Sequence, residues 1–432
     1  MSEAQTVQHG MEPTGRYIVT FREGGEEAAL SAINKACGVT RANMMNSADF
    51  GVDGIEMMQV PGDGGVLFGQ IGVAVVAMDE DAMRSMNAQV DGESAILAVE
   101  PEGMMYALGD SNPLTSDYLR GFRDAADAIY TRSGQPRDSE DSEAAASFGD
   151  NNSHTWGLQA TKAAGSRYSG RGIRVAVLDT GLDLRHPDFI GRGVVSKSFI
   201  SGVTSAQDGH GHGTHCTGTA CGPLQPRTGR RYGVAYRSQV YIGKVLSDQG
   251  GGADASILAG IDWAIRNQCQ VISMSLGAVV CSTSVAYETV GQRALNAGTL
   301  IVAAAGNNSN RSQGVFGCVN RPANSRTFMA VGAVDNNVAI ANFSAADTTR
   351  TAGTAVDIAG PGVAVYSSWP MPTYSRTISG TSMATPHVAG IAALWAEATS
   401  ARGAALWQRL ITNAKSLNIP HVDVGRGLVL AP

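Results

Sequence analysis

Apolar residues recur along this chain with two different periods, and the change from one to the other divides it. Short blocks at 16–21 (RYIVTF), 55–60 (IEMMQV), 72–78 (GVAVVAM) and 95–100 (AILAVE) have the length and β-branched content of strands. Between them, 26–37 and 80–90 space their apolar residues three and four apart, as helices do, with Met83 and Met86 on one side of the second. The order strand, helix, strand, strand, helix, strand predicts a small α+β unit of the ferredoxin-like βαββαβ type, its methionines acting as packing groups. Residues 116–132 carry amphipathic-helix spacing, and 133–152 is acidic and serine-rich like a linker. From Thr155 onward, continuous apolar runs at 173–178 (IRVAVL), 271–274 (VISM) and 300–305 (LIVAAA) alternate with helical stretches. That alternation predicts an α/β fold, a mainly parallel sheet covered by helices on both faces. The expected divisions are a flexible start (1–14), an N-terminal domain (15–108), a helical and acidic linker (109–152) and the α/β domain (153–432).

Composition narrows the partners. A chain of 432 residues that is 43% hydrophobic exceeds one ordinary domain and supplies two cores. The net charge of −6, with no cluster of Lys and Arg interleaved with aromatics, argues against a nucleic-acid partner. No apolar run is long enough to span a bilayer, so no membrane partner is expected, and the chain is read as a monomer. The first ten residues are polar and lack a hydrophobic signal core. By that criterion the protein is cytoplasmic; it is secreted if a leader precedes this sequence or another export route carries it.

Candidate chemistry begins at 379–390 (SGTSMATPHVAG), where Ser382 follows a tight glycine turn and enters an apolar helix. Pro386 is read as lying in the first turn, where it has no donor to lose. A serine at a helix start is by itself an N-cap, and its hydroxyl needs a base oriented by a third group before it can act as a nucleophile. Upstream, the strand at 173–178 ends on Asp179, and 209–219 (GHGHGTHCTGT) is a glycine-punctuated histidine segment running into a small-residue helix. Its three histidines invite a metal reading, but no carboxylate or thiolate set at zinc-like spacing joins them. A further strand ends in Gly306 and Asn307, a primary amide that in isolation reads as a turn residue.

Together these four segments, in the order Asp, His, Ser with an intervening Asn, resemble the motifs of subtilisin-like serine proteases, the subtilases. Cys216, directly after the histidine segment, makes the proteinase K branch the nearest in motif. The resemblance implies a serine endopeptidase acting on polypeptides, with Asp179 orienting His212, His212 as base, Ser382 as nucleophile and Asn307 with the Ser382 N–H as oxyanion donors. It implies that His215 packs beneath the base, that Cys216 is buried beside it, and that His210 is an exposed loop residue. Ser275, Leu276 and Gly277 would pair with an extended substrate. Ala304 and Gly306 would form pocket walls and Asn320 the floor, while Asn308 stands where some relatives carry an acid, which favours uncharged side chains on the acyl side.

The N-terminal domain resembles the inhibitory propeptide of this family at 16–21 and 99–102 (VEPE). Residues 105–108 would then fill the cleft, with the first self-cleavage after Leu108. No cofactor is implied for the chemistry. A structural calcium is implied at Asp335 with the carbonyls of Pro322 and Asn324. Cys281 and Cys318 flank neighbouring substrate-side loops and are able to pair in an oxidising compartment, whereas Cys37, Cys221 and Cys269 receive no role. A dedicated precursor-processing protease and a catalytically silent peptide-binding homologue are the competing readings.

Overall fold

A computed structural model describes residues 13–55, 64–88, 90, 94–108, 147–227, 229–346, 348 and 355–432. The expected helix at 116–132, residues 56–60 of the expected strand at 55–60, and the linker up to residue 146 lie outside the described residues.

The N-terminal part consists of β1 (Pro13–Phe21), α1 (Glu26–Cys37), β2 (Met44–Asn46), β3 (Gly65–Phe68), β4 (Val73–Ala77), α2 (Glu80–Asn87) and β5 (Ile96–Ala107). Glu26 and Glu27 in the first turn of α1 and Lys35 in its last complement the helix dipole, and Gly38 closes it in the left-handed region. Asp79 caps α2 by accepting from the Ala82 N–H at 2.8 Å. The strands lie in the order β5-β1-β4-β3-β2, antiparallel except for the β2–β3 pair. Strand period assigns the two faces. Val19 and Phe21 pack with Leu30 and Ile33 of α1 and Met86 of α2, whereas Ile18, Val66, Phe68, Val73 and Val75 face away from them.

The rest of the chain adds α3 (Trp156–Ala160), β6 (Arg174–Asp179), β7 (Val195–Ser198), α4 (His212–Cys221), β8 (Gln239–Lys244), β9 (Gly251–Ala253) and α5 (Asp254–Arg266). It continues through β10 (Val271–Met274), β11 (Leu276–Gly277), α6 (Val285–Asn296), β12 (Leu300–Ala304), β13 (Met329–Val334) and β14 (Ile358–Pro361). The hairpin of β15 (Val365–Ser368) and β16 (Ser375–Ile378) is followed by α7 (Thr381–Thr399), α8 (Gly403–Thr412) and α9 (His421–Val424). Seven strands form a parallel sheet in the order β14-β13-β12-β10-β6-β8-β7. Val175, Val177, Leu300 and Val302 pack on one face with Cys216 and Ala220 of α4 and the apolar residues of α7. Ala176, Leu178, Ile301 and Ala303 pack on the other with Ile257 of α5 and Val290 of α6. The N-terminal sheet lays its outer face on that second layer, so α5 and α6 are covered from both sides.

Helix α7 starts earlier than the proline suggests. Pro386 lies inside it, and with no N–H it leaves the Ser382 carbonyl without its intrahelical partner. The Ser275 hydroxyl at 2.9 Å and the Cys216 thiol at 3.5 Å donate to that oxygen instead. Among the described residues no helix is long and apolar enough to cross a membrane.

Candidate active site

Parallel strands present their C-terminal ends at one edge of the sheet, which is where open α/β folds collect functional groups. Asp179 ends β6 there, buried, with Oδ1 accepting from the Thr180 N–H at 2.7 Å and lying 2.8 Å from Nδ1 of His212. His212 opens α4 and is fixed by its own loop. One carboxylate, Asp208, accepts from the N–H groups of His210, Gly211 and Thr214 at 2.8–2.9 Å, from the Thr214 hydroxyl at 2.7 Å and from the Thr180 hydroxyl at 3.0 Å. Gly213 is required by close approach, since a Cβ there would stand 2.3 Å from the Gly181 carbonyl oxygen. Burial works against a charge on His212, but the Asp179 carboxylate outweighs it and holds the ring's pKa well above its ordinary value. Its Nε2 is buried and meets no partner among the described residues.

The neighbouring histidines behave differently. His215 is buried with Nε2 3.0 Å from the Val365 carbonyl, and burial pushes its pKa down to about 3, so it is a neutral packing group. His210 is half-buried with its ring edge-on to His212 at 6.2 Å, not the exposed loop residue expected from sequence. Cys216 Sγ lies 3.8 Å from His212 Nδ1, and burial pushes its thiol pKa up. Asp179, His212 and Cys216 offer clustered metal-ligand atoms, but the nitrogen at the centre of the cluster is already engaged by Asp179.

Across the sheet edge, the end of β5 occupies a groove between two short strands. Met104, Met105 and Tyr106 pair antiparallel with Ala253, Gly252 and Gly251 of β9, and Tyr106 and Ala107 pair with Gly277 and Leu276 of β11. Leu108 follows: its N–H donates to the Ser275 carbonyl at 3.2 Å. Its carbonyl oxygen accepts from Asn307 Nδ2 at 2.6 Å and from the Ser382 hydroxyl at 2.5 Å. The expected Ser382 N–H is not among the donors to this oxygen; the hydroxyl takes that place. Asn307 is held in turn by Oδ1, which accepts from the Thr381 N–H and hydroxyl, each at 2.9 Å. The Leu108 side chain rests against Gly277; Ala304, Gly306 and Asn320 are buried, and the Asn320 amide lies against Gly306. Asn308 donates from Nδ2 to the Cys318 carbonyl at 3.1 Å, and Cys318 is joined to Cys281 by a disulfide.

Sequence reasoning quoted Glu100 and Glu102 but gave them no role. Glu100 accepts from the Ser284 hydroxyl at 3.0 Å and the Ala286 N–H at 2.8 Å, capping α6. Fully buried Glu102 accepts from the Ala255 N–H of α5 at 2.8 Å and takes a two-point contact from Arg16 at 2.8 and 2.9 Å. The N-terminal sheet thus places one carboxylate at each of two helix N-termini, where the dipole favours negative charge. Asp254, beside Glu102, accepts from the Tyr287 hydroxyl at 2.6 Å and the Gly103 N–H at 3.0 Å; burial pushes its pKa up to about 6. Strand β9 was also missed; its only signal was the glycine run 250–252.

The residues of the suggested calcium set have local hydrogen-bond partners. Asp335 Oδ1 accepts from the N–H groups of Asn337 and Ala339, both at 2.9 Å, the bonding of a turn. The Pro322 carbonyl accepts from the Ser325 N–H at 3.0 Å, and Asn324 turns its amide to the Val280 and Ser282 carbonyls at 3.0 and 3.2 Å.

Comparison with known proteins gives this geometry a family. Residues 170–428 match the model of the subtilase family. Subtilisin DY of Bacillus licheniformis is 40% identical over 237 residues, 55% of this chain and 81% of its own. Subtilisin Savinase of Lederbergia lenta is 43% identical over 242 residues, 55% of this chain and 82% of its own. M-protease of Shouchella clausii is also 43% identical over 242 residues, which cover 58% of its length. These matches do not single out the proteinase K branch. Since the family model covers more than half of the chain, it belongs to the subtilase family, and it is a subtilisin-type serine endopeptidase.

Proposed function

We propose that this chain is a self-processing zymogen whose N-terminal domain inhibits the catalytic domain until it is cut away after Leu108. The observation that carries the reading is the Leu108 carbonyl oxygen, held by the Asn307 amide and the Ser382 hydroxyl. In the reaction, Ser382 Oγ attacks the Leu108 carbonyl carbon while its proton passes to His212 Nε2, and Asp179 steadies the imidazolium through Nδ1. The oxyanion is stabilised by Asn307 and, once the hydroxyl has become the attacking atom, by the Ser382 N–H. Collapse expels the Gly109 amine, which takes the proton from His212, and water then releases the acyl group by the same steps. Polypeptide substrates follow the route of residues 104–108 between β9 and β11, with uncharged acyl-side residues accepted broadly and Ser275, Leu276 and Gly277 supplying the edge.

The antiparallel order β5-β1-β4-β3, with α1 and α2 on one face, supports a ferredoxin-like inhibitory domain, and the two helix caps of Glu100 and Glu102 support tight docking. The chemistry uses only groups of the chain. The Cys281–Cys318 disulfide supports function in an oxidising compartment, hence export, and the protein is read as a monomer. A stabilising calcium near Asp335 is tested by melting with and without chelator; an unchanged transition removes it.

The zymogen reading is tested by expressing the full chain and its Ser382→Ala variant. The parent chain is expected to yield a mature form beginning at Gly109 and a serine reactive toward a fluorophosphonate, while the variant stays intact. A parent that remains uncut and unlabelled overturns the reading. No observation favours a dedicated precursor protease or a silent peptide-binding homologue.

A further inference from the structure

Asn320 is 1% exposed, and neither its amide oxygen nor its amide nitrogen meets a hydrogen-bond partner among the described residues. Since both ends are unpaired, exchanging oxygen and nitrogen in the amide leaves the situation unchanged. Buried polar groups in proteins are nearly always paired, and an apolar side chain of the same size would fill this space at lower cost. The amide is therefore placed for a partner that arrives from outside.

Its surroundings say from where. The Asn320 N–H donates to the Ala305 carbonyl at 2.8 Å, which fixes the residue beside the strand end that carries Asn307. A Cβ added to Gly306 would stand 2.5 Å from Asn320 Cγ and Nδ2, so the amide head lies over the bare backbone next to the Asn307 donor. Arg321 pairs with Ala278 in both directions, at 2.9 and 3.2 Å, and a Cβ added to Gly277 would stand 2.6 Å from the Arg321 carbonyl oxygen, which brings the residue after Asn320 alongside Gly277. A Cβ added to Gly277 would stand 3.2 Å from Leu108 Cδ1. The amide thus borders a space bounded by two glycines, entered by the side chain whose carbonyl sits between Asn307 and Ser382. Leucine at 108 brings only methyl groups to it.

We propose that Asn320 is a specificity-determining residue and that the best substrates carry glutamine as the residue supplying the scissile carbonyl. The proposal rests on the endopeptidase reading and names its substrate class. Glutamine extends one heavy atom beyond leucine and ends in a carboxamide, whose acceptor and donor match the donor and acceptor of Asn320 in a reciprocal pair. Methionine has the same length and offers neither. Glutamate accepts from the amide nitrogen alone and buries a charge; lysine serves the oxygen alone. A site built to hydrogen-bond a substrate group discriminates against the analogue lacking it more strongly than a site that only excludes volume. Leu108 is then a retained self-ligand that leaves the pocket's polar end unused.

The test uses the self-processed protein, with active sites counted by fluorophosphonate labelling, and peptides that differ only in the acyl-side residue: Gln, Met, Leu, Glu and Lys. Gln is expected to exceed Met in kcat/KM by about tenfold or more. In Asn320→Leu the Gln-to-Met ratio is expected to fall to about one or below, whatever happens to the absolute rates. Asn320→Asp, which keeps the shape should the leucine variant fail to fold, is expected to lose the Gln preference and gain Lys. In the full chain, Leu108→Gln is expected to self-cleave faster than Leu108→Met. A Met rate equal to or above the Gln rate, or a ratio that survives both Asn320 variants, overturns the specificity proposal alone. Failure to cut any peptide overturns the endopeptidase reading and this one with it.

Discussion

The histidine loop and the substrate pocket lie at the same sheet edge and are satisfied in opposite ways. In the loop the backbone donors around His212 are answered by side chains, chiefly that of Asp208, and Asp179 holds the ring before any ligand arrives. In the pocket, Asn307 and Ser382 donate to residue 108 of another domain, and the side-chain amide of Asn320 meets no partner among the described residues. The first arrangement gives a base of fixed aim, and the second leaves its polar groups open for a ligand. Preorganisation and vacancy are both needed, because electrostatic stabilisation works only where donors are fixed before the charge appears.

This contrast is breakable at several points. Ser382→Ala removes the one group that must form a bond, so turnover is expected to fall by at least about four orders of magnitude and the full chain to stay uncut, as read by gel and peptide hydrolysis. Asn307→Ala removes a donor of the pocket while sparing the loop. A loss of about two to three orders of magnitude in kcat with little change in KM is expected, the size known for this amide in subtilisin. Docking of the cleaved N-terminal domain should depend on pH through Asp254. Its pKa is raised to about 6 when docked and returns toward the ordinary carboxylate value on release, so the docked state favours the protonated form. Docking is then strongest below about pH 4 and weakens as pH rises through about 6, by something on the order of a hundredfold. Inhibition of the mature enzyme by its own cleaved domain across pH reads this, and Asp254→Asn should flatten the curve. The smallest effect belongs to Asp208→Asn, which keeps the shape but weakens an anionic acceptor. It is expected to cost about 1–2 kcal/mol of stability, measured by urea unfolding of the Ser382→Ala chain.

The same contrast marks what the sequence could tell. Asp179, His212 and Asn307 were legible because their segments resemble the subtilase motifs, and the apolar runs before Asp179 and Asn307 placed those two at strand ends. Strand β9 was not, since a strand of two glycines and an alanine has no apolar period to read. The caps at Glu100 and Glu102 escaped because their partners, Ala286 and Ala255, are distant in sequence and have no side-chain signature. Pro386 misled through a sound local rule: the helix begins before it, because side chains from elsewhere in the fold answer the carbonyl it strands.

That stranded carbonyl ties three motifs to one atom. The Ser275 hydroxyl comes from the segment that receives the incoming peptide and the Cys216 thiol from the helix that bears the base, and both grip the backbone of the nucleophile. On the proposed reading, a guest that shifted the 275–277 edge would also shift a donor that holds the Ser382 backbone, so groove and attacking oxygen share an anchor.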